Sequence, residues 1–298
     1  MIPPLDRFSF RGLAYESLSV PAFDGTPLHV ERAGRPDGPV ILMANGIGVR
    51  WYGFAPVFER LAPEACVLTW DYRGMGGSMP LQSDQLEIRD DAADALAVLD
   101  ALAPGKQVAA LGWSMGVPVL VEAHRRDPGR FSRMVMAFGA PGLPFVHAFS
   151  PHVDRLIRTI LGAAVSQPVA PLLLRATLTR IEPAVREFLY RIGFAGRRTD
   201  PELFRMCVEG VIANRLENYG RTLLGLCVHD GWDHLPDMHL PVWVSGGTAD
   251  WVTPTPAMER TAALLPDATY HEIADASHFG LLENHPGLLD NIASFLLH

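Results

Sequence analysis

Residues 106–122 read KQVAALGWSMGVPVLVE. At the centre, Gly112-Trp113-Ser114-Met115-Gly116 forms a G-x-S-x-G pentapeptide. The apolar run at 108–111 before it has the character of a buried strand, and residues 117–125 after it suit a helix. Strand, sharp turn and helix together push a serine Oγ out at the top of a sheet. Such a turn needs small residues two before and two after the serine, because strand and helix backbones come close together there. An ordinary glycine-rich turn is the plainer reading of the same letters. The flanking strand and helix patterns favour an exposed nucleophile.

Outward from this stretch, short apolar runs alternate with helix-compatible ones. Residues 15–23 and 27–33 flank Asp24-Gly25-Thr26 and predict a β-hairpin. Runs at 39–44 and 66–70 are continuous and apolar, as in strands buried on both faces. Helical spacing covers 54–61 and 86–102. Further strands are expected at 134–138, 241–245 and 268–273, before a final helix at 286–297. This alternation predicts an α/β fold, a mostly parallel eight-stranded sheet with helices on both faces. Between residues 143 and 238 the rhythm breaks. No strand of comparable quality occurs there, while 154–165, 171–179, 183–192, 201–214 and 216–228 suit helices. A block this long exceeds an ordinary βα connection, so a helical cap inserted in the core is expected. The predicted core is 1–142 with 239–298, and the predicted cap is 143–238.

A serine hydroxyl is a poor nucleophile near neutral pH; it needs a base, and the base needs an orienting group. Asp250, in the segment VSGGTADWVTP at 244–254, lies just past a strand. His278, in Asp275-Ala276-Ser277-His278-Phe279, also follows a strand. Loops at the C-terminal ends of parallel strands share one edge, so Ser114, Asp250 and His278 can meet despite their separation. Asp275 competes as the acid, but it sits in the same loop as His278. His271 precedes that loop and belongs to the strand.

Five motifs now stand in order: Asn45-Gly46-Ile47-Gly48, Asp71-Tyr72-Arg73-Gly74-Met75-Gly76-Gly77-Ser78, the serine pentapeptide, the Asp250 loop and His278-Phe279. In these the chain resembles the α/β-hydrolase fold superfamily, over essentially its whole length outside the cap. It is most similar to lidded, esterase-like serine hydrolases. The resemblance implies an oxyanion hole of two backbone N–H groups, here those of Ile47 and Met115. It implies no cofactor. Relatives that displace halide or open epoxides carry aspartate where this chain has Ser114, so acyl transfer is implied instead. One departure stands out: many relatives have His-Gly where this chain has Asn45-Gly46. Asn45 is expected either to hold the loop by side-chain to backbone hydrogen bonds or to touch substrate. Trp51, Trp113, Trp251 and Phe145 are candidates for pocket walls, with core packing as the alternative.

Composition narrows the field. The chain has 298 residues, 48% of them hydrophobic, which suffices for a large core. A net charge of −8 and the lack of a basic block argue against nucleic acid. Three cysteines, Cys66, Cys207 and Cys227, are too few for a disulfide framework and fit a reducing, cytoplasmic setting. The N-terminus lacks the features of a secretory signal, and Gln167, Pro168, Pro171 and Arg175 break the apolar stretch at 161–178, so no membrane span is expected. His229, His234 and His239, with Asp230, Asp233 and Asp237, match no metal motif and read as a polar linker. The glycines at 74–77 lack the lysine and spacing of a phosphate cradle.

The expectation is a serine hydrolase that cleaves a carboxylic ester of a fairly hydrophobic small molecule. Thioester, lactone, proline-iminopeptidase-like amide and C–C bond hydrolysis, and cofactor-free perhydrolase or haloperoxidase chemistry, use the same triad. A non-enzymatic ligand receptor on this fold is the alternative of another class; such receptors often lose a triad member.

Overall fold

The computed structural model describes residues 4–143 and 170–298, with 152, 155, 156, 158, 159, 162 and 163 between them. The strands are β1 (Asp6–Phe10), β2 (Leu13–Pro21), β3 (Pro27–Gly34), β4 (Val40–Ala44), β5 (Cys66–Trp70), β6 (Val108–Trp113), β7 (Phe131–Ala137), β8 (Val242–Gly247) and β9 (Ala268–Ile273). Among the described residues the helices are α1 (Ala55–Leu61), α2 (Ile88–Leu102), α3 (Gly116–Arg126), α4 (Ala170–Arg180), α5 (Glu182–Arg191), α6 (Pro201–Ala213), α7 (Leu216–Val228), α8 (Thr255–Leu264) and α9 (Leu288–Leu297).

The strands form one sheet in the order β1-β2-β3-β5-β4-β6-β7-β8-β9. It runs parallel from β5 to β9, with β1, β2 and β3 antiparallel at one side. Among the described residues the sheet therefore has nine strands where the sequence pattern predicts eight. The extra one is β1, folded back on β2 through Arg11 and Gly12, whose φ values are 47° and 82°. Its mostly exposed side chains lack the apolar alternation that reveals the inner strands.

β4, β5 and β6 are buried at every position. Successive side chains feed opposite faces. Leu42, Ala110, Met136 and Val244 join a cluster that α2, α3 and α8 complete. Ile41, Leu111, Val135 and Trp243 join a second, completed by α1 and α9. Each fully buried Leu, Ile or Val contributes roughly 1.5–3 kcal/mol, so the strand ends beneath the site belong to a stiff platform. The helix α8 escapes the sequence reading because Pro254 and Pro256 resemble turn residues. Proline in a first helical turn forfeits no helical hydrogen bond.

Between β7 and β8 lie α4, α5, α6 and α7, each within one residue of its predicted span. Within the predicted helix at 154–165, the described residues 155, 156, 158, 159, 162 and 163 are helical, and the other half of the span lies outside the described residues. Asp200 starts α6: its Oδ1 accepts the Glu202 and Leu203 N–H groups, both at 3.0 Å.

Candidate active site

Ser114 occupies the turn between β6 and α3 with φ +54°, a left-handed conformation that non-glycine residues seldom adopt. The neighbours explain why the turn closes. A Cβ on Gly112 would lie 2.7 Å from the Gly116 carbonyl oxygen, and a Cβ on Gly116 would strike the Ala44 carbonyl. The backbone is pinned from β7, where the Ala137 carbonyl accepts the Ser114 N–H at 3.2 Å. The turn leaves the serine partly exposed amid buried neighbours.

His278, in the loop after β9, brings Nε2 to 2.9 Å from Ser114 Oγ and Nδ1 to 2.9 Å from Asp250 Oδ2. A carboxylate only accepts, so Nδ1 carries the hydrogen and Nε2 is free to accept the serine O–H. Asp250 is fully buried just past β8. Its Oδ1 accepts the Val252 and Thr253 N–H groups, and Oδ2 also accepts the Thr253 hydroxyl at 2.6 Å. These donors hold the carboxylate in one orientation. Asp275, the competing acid, is exposed, and His271 stacks on Trp243 with ring centroids 3.8 Å apart.

The His278 loop is also held from the serine strand: Trp113 Nε1–H donates to the His278 carbonyl at 3.0 Å. Phe194, between α5 and α6, packs on the imidazole at 5.5 Å. Among the described residues, the Ile47 and Met115 N–H groups have no protein acceptor. Two cavities meet at Ser114 and His278, and Ile47, Phe194 and Tyr219 border both. One, of about 300 Å³, extends past Trp113 to Leu178, Val185, Leu189, Val208 and Val211. The other, of about 230 Å³, extends past Met115 to Leu223, Leu226, Trp251 and Thr253. No Asp, Glu, Lys or Arg side chain lines either one among the described residues. Larger surface clefts, of about 560 and 400 Å³, lie beside Arg221 and Arg215 and do not reach Ser114.

The proposed wall residues divide. Trp113 and Trp251 line the cavities. Trp51 does not: it belongs to an aromatic cluster with Phe8, Phe10 and Tyr15 under the N-terminal strands. Phe145 lies outside the described residues. Asn45 is fully buried and lines neither cavity, and neither polar atom of its side chain has a hydrogen-bond partner among the described residues. The loop is held instead through its carbonyl, which accepts the Tyr72 hydroxyl at 2.7 Å. Tyr219, Val208 and Val211 escape the sequence reading, since an apolar stripe on a helix marks burial without saying against what.

The glycine-rich loop after β5 backs the site. Arg73 is fully buried and forms a two-pronged pair with Asp94 of α2, at 2.8 and 2.6 Å. Asp71 Oδ2 accepts the Gly77 N–H at 2.7 Å and Arg50 Nε–H at 2.9 Å. Burial nonetheless pushes its carboxyl up to about 6. In the His/Asp-rich stretch, His234 Nε2 lies 2.9 Å from Nδ1 of buried His124 on α3.

The model of the alpha/beta hydrolase fold family matches residues 39–285. Mouse (Mus musculus) serine hydrolase BPHL is 32% identical over 138 residues, 45% of this chain; the match spans about half of that relative, 47%. A poly(3-hydroxyalkanoate) depolymerase of Ectopseudomonas oleovorans is 28% identical over 273 residues, covering 89% of this chain and 87% of its own. An esterase structure from Exiguobacterium antarcticum superposes with a TM-score of 0.77 at 18% identity, over 93% of this chain and 98% of that one.

Proposed function

The chain belongs to the alpha/beta hydrolase fold family, and on that footing we propose that it is a serine hydrolase cleaving esters of uncharged, hydrophobic small molecules. The observation that carries this reading is the unbroken relay from Ser114 Oγ through His278 to Asp250. Ser114 Oγ attacks the ester carbonyl as His278 Nε2 takes its proton. The Ile47 and Met115 N–H groups, which have no acceptor among the described residues, face the negative charge that develops on the carbonyl oxygen. The tetrahedral adduct collapses, the bond to the alcohol oxygen breaks, and His278 returns the proton to that oxygen. Water then repeats the sequence on the acyl-enzyme, with His278 as base, and releases the acid. Asp250 keeps the ring in the Nδ1–H tautomer and stabilises its cation.

Residues 1–142 with 239–298 serve as the core and 143–238 as the cap. Side chains of α4, α5 and α6 roof the larger cavity. A charged substituent there would lose its hydration without gaining a partner. At about 30 Å³ per heavy atom, 300 Å³ holds on the order of ten non-hydrogen atoms, about an octanoyl group. The serine hydrolase and poly(3-hydroxyalkanoate) depolymerase relatives support the hydrolase reading. A panel of p-nitrophenyl esters tests the assignment. kcat/KM is expected to rise from acetate to about octanoate, fall for palmitate, and be at least about tenfold lower for a half-ester with a terminal carboxylate. No turnover of any ester, or preference for the carboxylate, would contradict it.

A further inference from the structure

Glu283 lies outside the Ser114–His278–Asp250 relay, five residues beyond His278, with its side chain only 1% exposed. Among the described residues, every polar group in contact with this carboxylate donates to it. Oε1 accepts the Ser277 hydroxyl at 2.5 Å, the Gly196 N–H at 3.0 Å and the Thr199 hydroxyl at 3.2 Å. Oε2 accepts the Ser277 N–H at 3.2 Å and His285 Nε2–H at 2.6 Å. Ser277 precedes the histidine of the relay. Gly196 and Thr199 belong to the segment before α6, the same segment that carries Phe194 against the His278 ring. The two stretches also pair backbone to backbone: Thr199 bridges Glu283, and the Asp200 N–H donates to the Leu282 carbonyl at 2.9 Å. At Gly196 a side chain would collide with Glu283 Oε1.

We infer that Glu283 is a positioning residue that locks the His278 loop to the segment bearing Phe194, so that substrate-pocket wall and base move as one unit. A buried carboxylate with donors on all sides is stable only while every donor stays in place. It therefore fixes the separation of the two stretches more firmly than apolar contact does. The inference rests on the serine-hydrolase reading, and an error of about 1 Å in the base costs on the order of 100-fold in rate.

Two substitutions separate the two sides of the lock. Glu283→Gln keeps an oxygen for Gly196 and Thr199 but turns its NH₂ toward the Ser277 N–H, donor against donor. Its kcat per fluorophosphonate-titrated Ser114 is expected to fall at least about tenfold, with KM for p-nitrophenyl octanoate within about twofold of the parent. Glu283→Ala releases both sides, so kcat falls as far and KM for octanoate also rises several-fold, while KM for acetate stays put. Should the alanine variant not fold, the glutamine variant decides alone. A folded Glu283→Gln enzyme with parental kcat per titrated site overturns the inference. If the parent enzyme takes no label at Ser114, it is the serine-hydrolase reading that fails.

Discussion

At the scale of single residues, the proposed chemistry turns on which nitrogen of His278 carries its hydrogen. Asp250 decides this, and its remaining lone pairs are taken by Val252 and Thr253. In Asp250→Asn the amide oxygen stays with the two N–H donors, and its NH₂ faces His278 Nδ1. The ring must then accept there and carry its hydrogen on Nε2, where it cannot take the Ser114 proton. Turnover is expected to drop by roughly 10³–10⁴-fold, with the melting temperature within a few degrees of the parent; steady-state kinetics beside thermal denaturation checks both. Ser114, Asp250 and His278 were legible as candidates because loops after parallel strands share an edge. Asn45 was not: its letter promises side-chain hydrogen bonds, yet the fold buries its amide without a partner among the described residues. Glu283 was illegible too, since its partners come from a segment distant in sequence.

At the scale of elements, the serine turn depends on α3 staying docked, and His124 in the last turn of α3 meets His234 before β8. Burial, then the nearby His234 and His239, lowers the His124 pKa from 6.5 to about 4. Burial lowers that of His234 as well. The unfolded chain therefore takes up protons between pH 6.5 and 4 that the native state refuses. Stability from this contact is full above about pH 6.5 and is lost as pH falls toward 4. Between pH 7.5 and 4.5, His124→Leu/His234→Leu should lose less stability, or gain more, than the parent, read as the slope of denaturant midpoint against pH. An unchanged slope in the double variant would refute the assignment. Most element types were legible from the sequence, the inner strands through continuous apolar runs and the helices between β7 and β8 through their periodicity. β1 and α8 were not, because one is exposed and the other begins with prolines.

At the scale of the molecule, one sheet edge gathers four loops from distant parts of the sequence, and the helices between β7 and β8 supply apolar walls above them. The edge was legible because loops at the C-terminal ends of parallel strands share it. Which side chains of those helices face the cavity was not, because core and cavity demand the same apolar stripe. The central claim is that this assembly makes Ser114 the nucleophile. The most direct measurement is treatment with a fluorophosphonate, followed by peptide mass spectrometry and residual ester turnover, in parallel with Ser114→Ala. One label per chain at Ser114, turnover lost in step with labelling, and a folded, unlabelled variant at least about 10³-fold slower are predicted. Labelling elsewhere, or parental turnover in the folded Ser114→Ala protein, would contradict it.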